Sequence, residues 1–377
     1  MRQFKIVLGI LLTALILNVI VFFVFTVSGY DEIYDLVKKH SVETIDIFDD
    51  DVTEYNNIDE ILKNETIFCV NEHGGVKANY DIMRNNITFY QKKHSMKYFV
   101  TDLSYSEALW MNQYMTLDDP AESFRKILIY EEALDVFLNI KQINDELDEK
   151  TKIEIIGVNA ENSMEIPISY INYLFDQFAE KRKPDIINQV VNFDDSDEIL
   201  YYQNMYDSLL NNERVYREYF VDKYFQFFMT LKNYIRTIEN FDRNQMCLEN
   251  FVDIYNSNFR AKYYIQLPLA LSLYENLLAE YPNIAAEIYN MPLFYDNCES
   301  INDSDFYQYP FDLREDGTPI TYILKNKTFK LFEKHRRLVY KINNRPYESY
   351  DIDMGNDYFI LTNSPAVTLL EDSNDNN

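Results

Sequence analysis

From residue 67 onward the chain alternates short apolar runs with longer stretches of helical periodicity, and this constrains the fold more than any other feature. Runs of four to six residues bounded by turn signals read as buried strands: 67–70, 98–102, 153–158, 263–266, 321–324, 338–342 and 358–362. Helix starts lie between them. Ser104-Tyr-Ser-Glu107 is a capping box, and Asp119 with Pro120 reads as an N-cap with proline at the first helical position, opening a helix to about Asp148. Strand–helix alternation of this kind predicts an α/β fold: a mostly parallel central sheet with flanking helices. Residues 167–255 are almost entirely helical in pattern, too long for one crossover, and read as a helical insertion. No internal repeat is visible.

The front of the chain sets its expected location. Arg2 and Lys5 precede residues 6–27, an apolar run interrupted only by Gly9, Thr13, Asn18 and Thr26. About twenty apolar residues match a bilayer core, whereas a cleavable signal has a shorter apolar segment. The run therefore reads as a single-pass transmembrane signal-anchor. Residues 1–5 would be cytoplasmic and the remainder outside. Secretion after cleavage near Gly29 is the alternative. The expected order is then an acidic stalk and entry helix over 28–65, the α/β domain over 66–366, and an acidic disordered tail over 367–377.

The formal charge is −27, and the first 29 residues hold two bases and no acids, so the rest carries about −29. Such a surface repels polyanions, and nucleic acid is excluded as a partner. The expected partners are the membrane, through the N-terminal helix, and a small-molecule or protein ligand. The basic cluster Lys325, Lys327, Lys330, Lys334, His335, Arg336 and Arg337 reads as a solvated face. Three cysteines, Cys69, Cys247 and Cys298, make no disulfide framework, although a Cys247–Cys298 bridge is open outside the cell. No CxxC or CxxH spacing, Gly-rich phosphate loop or Gly-x-Ser-x-Gly elbow is present, so neither metal nor cofactor is expected.

The strongest local signal for chemistry is IFCVNEHGGVKAN, residues 67–79. An apolar run gives way to Asn71, Glu72, His73, Gly74 and Gly75, and helical periodicity follows. The chain has seven glycines and four histidines, and two glycines and one histidine sit together here. Glycine serves where the backbone needs positive φ or close approach. A polar turn at the carboxyl end of a strand is where open α/β sheets place ligands. A solvated tight turn is the plainer reading. Such a polar turn is also a poor setting for raising the pKa of Glu72.

Taken together, VNEHGGVKANYDI, KYFVTDLSYSEALWMNQYM and KIEIIGVNAENS resemble the erythromycin esterase-like superfamily. Its members carry Gly-Glu-x-His-Gly after the first strand, a second strand ending in glutamate before an Ala-x-x-x-Asn-x-Tyr helix, and a third strand ending in Gly-x-Asp. The helix here offers Ala108, Asn112 and Tyr114; the third strand offers Gly157 and Asn159. Arg217-Glu218 is similar to the family's Arg-Glu/Asp pair, and the segment from Tyr263 through Gln266 to Leu271 is similar to its Gly-Gln-Phe-Gly-x-x-His. Residues 358–365 resemble its closing strand.

The departures carry as much weight. With residues 76–79 in register, Glu72 matches the family glutamate, while the histidine position falls on Gly74 and His73 lies one residue early. Asp102 replaces the second-strand glutamate and Asn159 the third-strand aspartate. The late histidine position falls near Leu271, and no histidine occurs between His94 and His335. The resemblance implies water activation for ester hydrolysis, which needs a base within hydrogen-bond reach. The catalytic candidates are thus Glu72, His73 and Asp102, with Asn71, Gly74, Gly75, Asn159, Arg217, Glu218 and Gln266 as binding candidates. Arg217 and Glu218 have an ordinary ion pair as their plainer role. The expected function is a catalytically degenerate domain that binds a ligand or partner. A working hydrolase with a rearranged site, or a structural envelope protein, are the alternatives.

Overall fold

The computed structural model describes residues 41–45, 59–72, 75–191, 198–268, 270–291, 293–295, 321–325, 358–362 and 368–370. The strands are β1 (Ser41–Ile45), β2 (Ile67–Asn71), β3 (Tyr98–Ser104), β4 (Glu154–Asn159), β5 (Tyr263–Leu267), β6 (Ile288–Asn290), β7 (Leu293–Tyr295), β8 (Thr321–Lys325) and β9 (Tyr358–Thr362). The helices are α1 (Asp59–Leu62), α2 (Lys77–His94), α3 (Tyr105–Tyr114), α4 (Ala121–Phe124), α5 (Glu131–Asp145), α6 (Glu165–Gln177), α7 (Asp185–Val191), α8 (Glu198–Asn211), α9 (Glu213–Phe220), α10 (Tyr224–Ile238), α11 (Arg243–Ser257), α12 (Ala270–Glu280) and α13 (Pro282–Ala285). They fall into two compact units, one holding the sheet β1-β8-β9-β7 and the other the sheet β4-β3-β5-β2-β6 with most of the helices.

In the larger unit every strand pairing is parallel, as strand–helix alternation predicts. All five residues of β5 are buried, which fits its central place between β3 and β2. One face of the sheet packs Phe68, Phe99 and Tyr264 with Tyr90 and Phe137; ring centroids of Phe68 and Tyr264 are 5.3 Å apart and those of Phe99 and Phe137 6.1 Å. The other face presents Cys69, Val100, Tyr263 and Ile265 to the helices between β4 and β5, where Tyr216, Phe220, Phe227 and Phe251 are fully buried. Six helices, α6 to α11, fill that interval.

Sheet edges leave backbone groups unpaired, and β4 is an edge strand. Two asparagines stand in for a neighbouring strand. Asn112 accepts from Ile155 N–H at 2.9 Å and donates to Ile155 C=O at 2.8 Å. Asn144 does the same for Ile153, at 2.7 and 2.9 Å. The Asn in Ala-x-x-x-Asn-x-Tyr thus has a structural task.

Several expectations are corrected. The helix opened by Pro120 stops at Phe124 and resumes at Glu131, because Tyr130 is extended and bridges to Leu369. Its N-cap is Pro120 itself, while the Asp119 carboxylate accepts from Ala121 N–H at 3.4 Å. The strands at 321–325 and 358–362 form, but they pair antiparallel with each other in the second sheet. Residues 41–45, read as stalk, are a strand paired antiparallel with β8. Cys247 is a free, buried thiol, as is Cys69, and burial pushes both to about 12. No helix among the described residues is long and apolar enough to cross a membrane. Of the tail expected at 367–377, residues 368–370 are described and Leu369 bridges to Tyr130; the rest of it, the anchor at 6–27, the strand at 338–342 and Cys298 lie outside the described residues.

Candidate functional site

Connections leaving β3 and β5 run in opposite directions, toward β4 and β6, so the two neighbours form a topological switch point. Open α/β sheets bind ligands outside the carboxyl ends of strands at such a point. The side chains gathered there are Glu72 after β2, Asp102 on β3, Asn159 ending β4 and Gln266 on β5.

Gln266 is 1% exposed, and its amide donates to Glu72 Oε2 at 2.9 Å and to Asn79 C=O at 2.8 Å. Its carbonyl accepts from the Tyr264 hydroxyl, two residues back on the same strand face; Asn86 donates to that hydroxyl at 2.9 Å. A buried amide chain therefore fixes the Glu72 carboxyl. Burial raises Glu72 to about 7; the bond from Gln266 opposes this and the charge of Asp102 adds to it. The expectation that a polar turn would leave this glutamate ordinary is overturned, because the carboxyl turns into the protein. Tyr80 belongs to the same cluster: burial pushes its phenol up, and Glu72, Tyr130, Glu132 and Asp102 push it further.

Asp102 owes its position to a bulge. Thr101 pairs with Gly157 and Ser104 with Asn159, so β3 spends one extra residue between these pairs. Gly157 makes the bulge possible: a Cβ there would lie 2.0 Å from Ser104 O and 2.6 Å from Leu103 O. Immediately after the bulge, Ser104 and Glu107 form the predicted capping box. Asn159 donates to Asp102 Oδ1 at 2.7 Å and accepts from Arg243 Nε at 2.8 Å. Arg243 continues to Asn162 Oδ1 at 3.2 Å, and Asn162 to Glu107 at 3.1 Å. Burial raises the Asp102 pKa, Arg243 and the Asn159 bond lower it, and Glu107 raises it.

Behind Asn159 lies a buried polar network that the sequence did not reveal. Glu161 is 5% exposed and accepts from the Ser106 hydroxyl and from Asn233 Nδ2, the latter at 2.9 Å. Asn233 also donates to Asn159 C=O at 3.0 Å and accepts from Asn250 at 2.9 Å. Burial raises Glu161 to about 7, against the bonds from Ser106 and Asn233 and with the charge of Glu107.

The remaining candidates are placed as follows. Asn71 pairs through its backbone with Leu267. Gly75 has φ 84°, the left-handed conformation that favours glycine, just before α2. His73 and Gly74 lie outside the described residues. Arg217 and Glu218 sit on α9 in exposed i,i+4 pairs with Glu213 and Arg214, at 2.6 and 2.8 Å. Arg217 also covers the Tyr224 ring at 4.2 Å. Arg243 and Tyr80, by contrast, join the rim without any motif to announce them.

Two glutamates titrating near 7 make stability pH-dependent. Their folded values exceed the ordinary 4.5, so between about 4.5 and 7 the folded chain holds protons that the unfolded chain has released. The stabilisation is complete below 4.5 and lost as pH rises through 7. Each full shift is worth roughly 3 kcal/mol at most, and the partly exposed Glu72 contributes the smaller share. Urea unfolding should show a higher midpoint at pH 5 than at pH 8, and Glu161→Gln should shrink the difference. An unchanged difference would place the Glu161 pKa in the ordinary range.

The fold recurs in solved structures. A protein from Bacillus cereus is similar at TM-score 0.60 and 13% identity, over 90% of this chain and 98% of that chain. A succinoglycan biosynthesis protein is similar at TM-score 0.56 and 11% identity, over 90% and 98%. A mutant erythromycin esterase, EreC, in its open conformation, is similar at TM-score 0.46 and 10% identity, over 81% and 92%. The chain thus shares its α/β fold with the first two of these structures. No family model matches the chain, and no characterised protein matches it by sequence.

Proposed function

We propose that this chain is a membrane-anchored, extracytoplasmic, esterase-like domain that binds a polar ligand at the rim formed by Glu72, Asp102, Asn159, Gln266, Tyr80 and Arg243, with little or no ester turnover. One observation carries this reading: each rim carboxyl takes its side-chain hydrogen bond from a neutral carboxamide, Gln266 for Glu72 and Asn159 for Asp102. A carboxamide holds a carboxyl in place but does not take up a proton from water at neutral pH. The histidine positions that the resemblance implies fall on Gly74 and near Leu271. Donors and acceptors fixed at a switch point suit recognition of a ligand with several hydroxyl or amide groups.

The test compares full-length protein with a Glu72→Gln, His73→Ala double variant on macrolactones and simple esters. Equal rates are expected. General acid–base catalysis by a well-placed group supplies roughly 10²–10⁴-fold, so ester turnover lost in the double variant would overturn the proposal. Anchoring has a separate check: alkali should leave the protein in the membrane and detergent should release it, whereas a soluble form starting near Tyr30 would mean a cleaved signal.

A specific observation favours the hydrolase as second reading. Glu72, raised by burial to about 7, lies within the field of Asp102, and a carboxyl poised near neutrality beside a second carboxyl is an arrangement that acid–base hydrolysis uses. On that reading the rate has an inflection near pH 7 that Glu72→Gln abolishes.

A further inference from the structure

A cavity of about 250 Å³ runs along the edge strand β4 from Tyr98 and Glu154, the first residues of β3 and β4. It starts at the end of the sheet opposite the rim. At about 30 Å³ per water it holds the equivalent of roughly eight waters. Its apolar wall is Ala108, Leu109, Phe225 and Ile254.

The polar groups are unbalanced. Tyr105 lines the cavity, is only 4% exposed, and its hydroxyl has no hydrogen-bond partner among the described residues. The hydroxyl oxygen keeps contact with solvent and is free to donate to a ligand. Gln113 and Gln226 have their carbonyls engaged by the hydroxyls of Tyr173 and Tyr170, each at 3.0 Å, which leaves their amide N–H groups to donate. Lys223 also lines the cavity and takes part in no ion pair or hydrogen bond among the described residues. Among the lining acceptors, Asn112 is bonded both ways to Ile155, and the half-exposed Glu154 carboxylate pairs through one oxygen with Lys97 at 3.4 Å. Donors from Tyr105, Gln113, Gln226 and Lys223 therefore outnumber the one lining carboxylate, Glu154, in a small chamber of mixed polar and apolar walls.

We propose that this cavity binds a small organic carboxylate with a compact apolar body. The carboxylate takes donors from Tyr105, Gln113, Gln226 and Lys223, while the apolar part lies against Leu109, Phe225 and Ile254. Nothing in this assignment depends on the reading of the rim.

Benzoate is the probe, applied to the full-length protein and followed by ligand-observed NMR with equilibrium dialysis. Saturable binding with Kd on the order of 1 mM or tighter is expected. Benzylamine, of matching shape and opposite charge, should not compete. Tyr105→Phe removes one oxygen and keeps the ring, so the fold should stand with an unchanged melting midpoint while benzoate binding weakens about tenfold or more, as for a lost bond to a charged acceptor. Lys223→Met should weaken it further and remove its salt dependence. Absence of saturable binding, competition by benzylamine, or binding that both variants leave intact would overturn the proposal.

Discussion

Gly157→Ala should abolish the native fold or cost more than about 3 kcal/mol, among the largest effects of any single methyl group in this chain. The added Cβ would stand 2.0 Å from a carbonyl oxygen and 2.5 Å from a carbonyl carbon of Ser104, both backbone atoms. No rotamer change relieves such a contact; β3 must move. That movement is opposed on both sides, since β3 is also held in register by β5 through Tyr98, Phe99 and Val100. The bulge would have to flatten, and with it would go the exit angle that lets Ser104 cap α3 and brings Asp102 within 2.7 Å of Asn159. Domains are stable by about 5–15 kcal/mol, so the loss is a large fraction of the total. Urea unfolding followed by circular dichroism gives the measurement. An alanine variant within about 0.5 kcal/mol of the parent, the range of an ordinary surface change, would mean that β3 and β4 do not approach as described.

Gly157 also shows how the sequence can be read and where reading stops. Its place in GVN was visible, as were the four longer strands of the parallel sheet and the capping box, because each is a local pattern: an apolar run, a turn, a cap. What escaped is set by distant partners. Tyr130 breaks a helix by bridging to Leu369, a contact no window of sequence contains. β6 and β7 are three residues each, too short to show alternation. At the rim, Glu72 was legible in the polar turn that follows a strand, and Asp102, Asn159 and Gln266 only through the resemblance that aligned their strands with the family's motifs. Arg243 was not, because it is the first residue of a helix far along the chain, and Tyr80 looks like one tyrosine among 32. Glu161, Asn233 and Asn250 were hidden by composition: in a chain rich in acidic residues and asparagine, a buried polar side chain looks like a solvated one. The raised pKa of Glu72 belongs to the same class, since the turn is polar in sequence and enclosed in space.

Asn233→Ala should destabilise the chain by roughly 3 kcal/mol at pH 8 and by about 2 kcal/mol at pH 5, the gap being at most what ionising a group of pKa about 7 supplies at pH 8. Asn233 is fully buried and joins three groups: Asn159 C=O at 3.0 Å, Glu161 Oε1 at 2.9 Å and Asn250 Nδ2 at 2.9 Å. Alanine fills none of those roles and leaves a space lined with polar atoms. Asn250 retains Val158 C=O at 3.0 Å, so its loss is partial. Glu161 loses more, because the Asn233 bond is one of those holding its pKa down, and the folded value should rise above about 7. The sign of the pH effect follows from that shift. Well below 7, folded Glu161 is protonated and the variant loses neutral hydrogen bonds. At pH 8 the parent chain bears the buried charge with Asn233 as a donor, whereas the variant must bear it without that donor or keep the proton at a pH where the unfolded chain has none. A second change separates this from a simple packing defect. In a Glu161→Gln background, Asn233→Ala should cost about the same at pH 5 and pH 8, because no charge is left to strand. Equal costs at the two pH values with Glu161 still in place would show that its carboxyl stays neutral throughout, and the near-neutral titration assigned to this network would then have to be given up.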